Sequence, residues 1–92
     1  MKKLTERKKE MLEKMRTNPR DWRFQQVRGL LEHFGFVMRQ PSGGGSHAVF
    51  IHPDLNLILS IPRARPIKAI YVKKAVGAVD DLIEKRRNEN DL

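Results

Sequence analysis

At 92 residues the chain is the size of one small domain, with material for only a modest core. It has no cysteine, which excludes a disulfide framework and any thiolate metal site, and fits a reducing cytoplasmic setting. Its 19 Lys and Arg against 11 Asp and Glu give a formal net charge of +8, which points to an anionic partner, nucleic acid above all. The apolar runs, such as Leu57-Ile58-Leu59, are too short to span a bilayer, and the charged start lacks the apolar stretch of a secretion signal.

The positive charge is unevenly placed. Residues 1–17 carry seven Lys or Arg against three Glu, residues 63–74 carry five and no acid, and residues 75–92 are net acidic. Residues 3–16 read as a charged amphipathic helix, with Leu4, Met11 and Met15 on one stripe and Leu12 beside them. That stripe is thin, so the helix either frays or docks. Thr17-Asn18-Pro19 breaks it, and Asn18 with Pro19 suits the start of a second helix. The second helix is expected over 21–34, with Phe24, Val27, Leu31 and Phe34 on its core face, Leu30 beside them, and Gly35 ending it.

Residues 36–40 read as a first strand and 41–45 as a loop. Strands follow at 47–52 and 57–61, joined by a turn at Pro53-Asp54. A basic connection over 62–66 leads to a last helix over 68–86. Val72, Val76, Val79 and Ile83 form its buried side, flanked by Ala75 and Leu82. This order predicts an α+β two-layer sandwich: a three-stranded antiparallel meander with both main helices on one face and the other face open. The chain divides into a charged N-terminal helical extension (1–17), the main domain (18–87) and a frayed tail (88–92).

Three histidines carry the search for chemistry. His33 lies late in the second helix, where the helix carbonyls suit an imidazolium, a structural role. His52 ends a strand beside the turn, where a local hydrogen bond is the ordinary use. His47 follows Gly43-Gly44-Gly45-Ser46 at the mouth of a strand. Phe50 anchors the core, so alternation sends Ala48, Phe50 and His52 to the covered face and His47, Val49 and Ile51 to the open one. An imidazole exposed there is placed to exchange a proton near neutral pH, unless it is an ordinary surface histidine. His47 and His52 are an odd number of residues apart and face opposite ways, so they do not build a metal site, and no metal or cofactor is expected. Ser46 and His47 are sequence neighbours whose side chains should diverge in a strand, which argues against a serine-nucleophile triad.

The segment Gly45-Ser46-His47-Ala48-Val49-Phe50, followed by His52-Pro53, resembles the HicA family of toxins from bacterial toxin–antitoxin systems. The resemblance runs from Asn18-Pro19-Arg20-Asp21-Trp22 through Phe36 to Ile61-Pro62, Arg65-Pro66-Ile67-Lys68 and the closing helix, over roughly residues 18–83. It implies a fold similar to a double-stranded-RNA-binding domain, α-β-β-β-α, with residues 1–17 as an extra helix. It also implies a metal-independent mRNA interferase, neutralised by a HicB-type antitoxin, with His47 at the catalytic position. Many members carry a further histidine soon after the third strand; here that region reads Pro62-Arg63-Ala64-Arg65.

On this reading His47 is the general base that takes the proton of a ribose 2′-hydroxyl. Arg39, which should share the open face with Val37, the amides of Gly45 and Ser46, and Arg63 or Arg65 are the candidate donors to the phosphate oxygens. Lys68, Lys73 and Lys74 are the candidate contacts to the RNA backbone near the start of the last helix. Tyr71 is placed either to stack on a base or to join the core. Two other classes fit the same composition: a non-catalytic RNA-binding module, and an adaptor whose basic face meets an acidic protein.

Overall fold

The computed structural model describes residues 3–39 and 46–90, and its elements run α1 (Leu4–Thr17), α2 (Phe24–His33), β1 (Val37–Arg39), β2 (His47–His52), β3 (Leu55–Pro62) and α3 (Ala69–Asn90). The three strands form one antiparallel sheet in the order β1-β2-β3. This is the α+β meander that the pattern of elements predicts.

The alternation read from β2 holds along its length. Ala48, Phe50 and His52 are buried, whereas His47 is exposed and Val49 and Ile51 are half-buried. Register carries that division across the sheet. Val37 pairs with Ile51 and Ile51 with Ile58, so these three side chains line one row of the open face. Arg39 pairs with Val49, and Val49 with Ser60, in the next row. On the covered face Phe50, Leu59 and Ile61 join Val27, Leu30 and Leu31 of α2 and Val72, Ala75, Val79 and Leu82 of α3 in one core. Each large side chain sealed there contributes about 1.5–3 kcal/mol through the apolar surface it removes from water.

The thin stripe of α1 docks. Leu12 and Met15 belong to the same core, and α1 packs on α2 and α3 rather than on the sheet. Arg16 adds a two-pronged ion pair from α1 to Asp80 of α3, its Nη2 donating to Oδ1 at 2.8 Å. That guanidinium holds the Asp80 carboxyl below the usual carboxylate range, chiefly by hydrogen bonding, which outweighs an opposing desolvation and is joined by a smaller Coulomb attraction.

Four local expectations are corrected. The second helix begins at Phe24, not 21, because Asn18 and Pro19 belong to a turn. There the Asn18 carboxamide oxygen accepts from the Arg20 amide, Asp21 takes a left-handed φ of 64°, and Trp22 bridges to Ile67. That bridge, with the Ile67 amide on the Trp22 carbonyl at 3.0 Å, spends as sheet-like pairing the residues that would have made the first helical turn. The third strand starts at Leu55 because Pro53-Asp54 is the whole turn and His52 pairs with Leu55. The last helix runs through to Asn90, so residues 88–90 are helical. Its buried seam passes through Leu82, leaving Ile83 half-buried at the rim.

Gly35 does end α2. Its φ is 95°, and a Cβ there would sit 2.9 Å from Nε2 of His52, so both the backbone and the packing exclude a side chain.

Candidate active site at the open end of the sheet

β2 carries a histidine at each end, and the fold treats them oppositely. His52 is 5% exposed and lies edge-on against Phe36, with ring centroids 4.9 Å apart. Its Nδ1 accepts from the Asp54 amide at 3.0 Å, and its Nε2 lies 3.1 Å from the Phe34 carbonyl oxygen. A carbonyl only accepts, so the proton sits on Nε2 and the ring is the neutral tautomer with both nitrogens used. His52 is a structural residue that ties the β2–β3 turn to the end of α2. His33, half-buried at the C-terminus of α2, packs edge-on against Phe34 and shares no site with the other two.

His47 begins β2 and is exposed. Its Nδ1 is 3.1 Å from the Ser46 hydroxyl. This corrects the expectation that the two side chains diverge. Ser46 lies in a bend just before the strand, where alternation does not apply. The contact occupies Nδ1, and among the described residues Nε2 has no partner. The Ser46 carbonyl also accepts from the Arg63 amide at 2.7 Å, which pins the entry to β2 against the exit of β3.

The cationic residues expected around His47 do not gather in one place. Lys74 shares a groove of about 620 Å³ with His47 along the free edge of β3, together with Ile58, Ser60, Tyr71 and Asp81. Lys74 Nζ stands 5.5 Å from the centre of the Tyr71 ring, and Tyr71 itself is half-buried against the core. Arg39 is exposed on the open face. Its partner Val49 is two residues from His47, which makes Arg39 and His47 diagonal neighbours at roughly 7–8 Å.

Arg63 and Arg65 line a different cavity, of about 590 Å³, at the start of α2. Lys68 is exposed just before α3, and Lys73 is exposed on α3 but is not among the residues lining the His47 groove. Gly45 lies outside the described residues. Sequence reasoning missed Arg23 and Arg28, which share the cavity with Arg63 and Arg65, because nothing local links residues so far apart in the chain.

Among the described residues, no three His, Asp or Glu side chains are grouped to hold a metal ion. Among the same residues, no helix is long and apolar enough to cross a membrane. Comparison with family models, with curated proteins and with solved structures finds no match.

Proposed function

We propose that this protein is a metal-independent endoribonuclease of the HicA toxin type, with a double-stranded-RNA-binding-domain-like core, acting on mRNA in the cytoplasm and held in check by a HicB-type antitoxin. The observation that carries the reading is the placement of His47. It is an exposed imidazole on the open sheet face, with Nδ1 against the Ser46 hydroxyl and no partner for Nε2 among the described residues, diagonal to Arg39 and sharing a groove with Lys74.

The chemistry follows from that arrangement. With Nδ1–H donating to the Ser46 oxygen, Nε2 carries the lone pair and takes the proton of the 2′-hydroxyl. The 2′-oxygen attacks the adjacent phosphorus in line, the bond to the 5′-oxygen breaks, and the products are a 2′,3′-cyclic phosphate and a 5′-hydroxyl. The leaving oxygen takes its proton from water, since Pro62-Arg63-Ala64-Arg65 brings no second histidine to this end of the sheet. Lys74 and Arg39 stabilise the charge on the non-bridging oxygens. A base so placed supplies about 10²–10⁴ in rate.

The test is expression in a bacterial cell of wild type and His47→Ala, scored for growth arrest and for cleaved transcripts bearing cyclic phosphate ends. Arrest and cleavage by wild type alone support the reading. Cleavage that survives in His47→Ala overturns it.

A further inference from the structure

The cavity at the start of α2 is lined by Arg23, Phe24, Gln25, Gln26, Arg28, Arg63 and Arg65. Four arginines line this space of about 590 Å³, and no acidic residue lines it. The groove beside α3, by contrast, includes the carboxylate residue Asp81 as well as Lys74 in its lining. Arg28 is partly neutralised by Glu32, with Nε 3.2 Å from Oε1. Among the described residues no carboxylate pairs with Arg23, Arg63 or Arg65. Three uncompensated like charges around one concavity repel one another in the free protein, and an anion bound between them relieves that repulsion. Guanidinium groups suit phosphate in particular, because their paired N–H donors match two phosphate oxygens.

The position of the cavity says which phosphate. Arg63 links the cavity to the entry of β2. Its amide donates to the Ser46 carbonyl at 2.7 Å, one residue before His47, while its guanidinium carbon stands 5.4 Å above the ring of Phe24, the first residue of α2. Phe24 in turn packs on Phe50, with ring centroids 6.3 Å apart, so this half-buried anchor is braced against the core. The arginine cavity and His47 therefore flank the same chain crossing, at the same end of the sheet.

We propose that this cavity is a second phosphate subsite. It holds a phosphodiester of the RNA strand that neighbours the one presented to His47, with Arg23, Arg63 and Arg65 as its principal donors and Arg28 at its rim. The proposal rests on the endoribonuclease reading for the identity of the strand. It adds Arg23 and Arg28 to the binding surface and moves Arg63 and Arg65 away from the scissile phosphate to its neighbour. The gain is orientation, because fixing a phosphate on one side of the cleavage point sets the direction of the strand across His47.

The test uses a 2′-O-methyl RNA hexanucleotide, which binds but lacks the nucleophile, so affinity is read without turnover. Its dissociation constant is measured by fluorescence anisotropy at several salt concentrations for wild type and for Arg23→Gln/Arg65→Gln. Both side chains are exposed, and equal melting temperatures verify folding. We expect the double variant to bind about tenfold or more weakly, with the salt slope reduced by roughly 0.7 for each phosphate that is no longer neutralised.

As a readout that needs no variant, the arginine Nε–H resonances of Arg23, Arg63 and Arg65 should shift on titration of the wild type with the hexanucleotide. Wild-type affinity and slope in the double variant, with those resonances unmoved, overturn the subsite and leave the nuclease reading standing. A wild type that shows no salt-dependent binding to the strand overturns both.

Discussion

His47 and His52 are the same residue type on the same six-residue strand, and the sheet turns them into different instruments. On the covered face both ring nitrogens of His52 are committed to backbone groups, the Asp54 amide and the Phe34 carbonyl. On the open face His47 has one nitrogen steadied by a serine hydroxyl and, among the described residues, no partner for the other. A side chain whose hydrogen-bonding capacity is saturated by the fold belongs to stability. A side chain whose capacity exceeds what the fold uses is available to a substrate. The difference lies in how many partners each imidazole has, and in a strand the parity of the position decides which face supplies them.

The largest expected effects test that division directly. His47→Ala should lower RNA cleavage by about 10²–10⁴ and leave the melting temperature unchanged, because an exposed strand position changes stability by no more than about 0.5 kcal/mol. His52→Ala should do the reverse. It leaves the Asp54 amide and the Phe34 carbonyl without their partner, and opens a hole beside Phe36. Together these cost about 2–4 kcal/mol. Cleavage measured well below the lowered melting point should persist. A His52→Ala protein that is folded but inert, or a His47→Ala protein that unfolds, would break the comparison.

A smaller effect sharpens what Ser46 does. If its hydroxyl only orients the His47 ring, Ser46→Ala should slow cleavage by about three- to tenfold, the worth of one neutral hydrogen bond, and Ser46→Thr should restore much of it. A defect as deep as that of His47→Ala, with a covalent adduct on residue 46 of the wild type, would make the serine a nucleophile and the ring its base.

How much of this is legible in the sequence follows the range of the interactions. β2 is readable to the residue because Phe50 fixes which face is covered and alternation does the rest. The same rule fails one residue earlier, at Ser46, which stands in a bend where faces are undefined. The start of α2 is misleading in the sequence because Asn18-Pro19 is a sound local helix signal. It is overruled by a long-range bridge between Trp22 and Ile67 that no local pattern carries. The docking of α1 is readable only as a choice, since Leu12 and Met15 make a stripe too thin to settle it. The arginine cavity is not readable at all. Its halves lie some 40 residues apart in the chain, and only the pinning of Arg63 to Ser46 and its stacking on Phe24 bring them together.

The smallest effect lies among the helices, where Arg16 of α1 grips Asp80 of α3. The Asp80 carboxyl is held below its ordinary range chiefly by the hydrogen bond from Arg16. A carboxyl depressed in the folded state stabilises it at pH values above about 3.9, the value in the unfolded chain, and that stabilisation disappears as the pH falls through the lower folded value. The Asp80 side chain is 38% exposed, so solvent screens the pair and its worth at neutral pH is about 0.5–1 kcal/mol. Asp80→Asn should therefore lower the melting temperature by about 2–8 °C at pH 7. The gap between variant and wild type should close as the pH drops below 4, while RNA cleavage at neutral pH stays as it was. Thermal melts across that range check the sign. A gap that widened in acid would mean that Asp80 acts through something other than its charge. A fall in cleavage would mean that α1 reaches the site through the core, so that the two faces of the sheet are not as independent as its two histidines make them look.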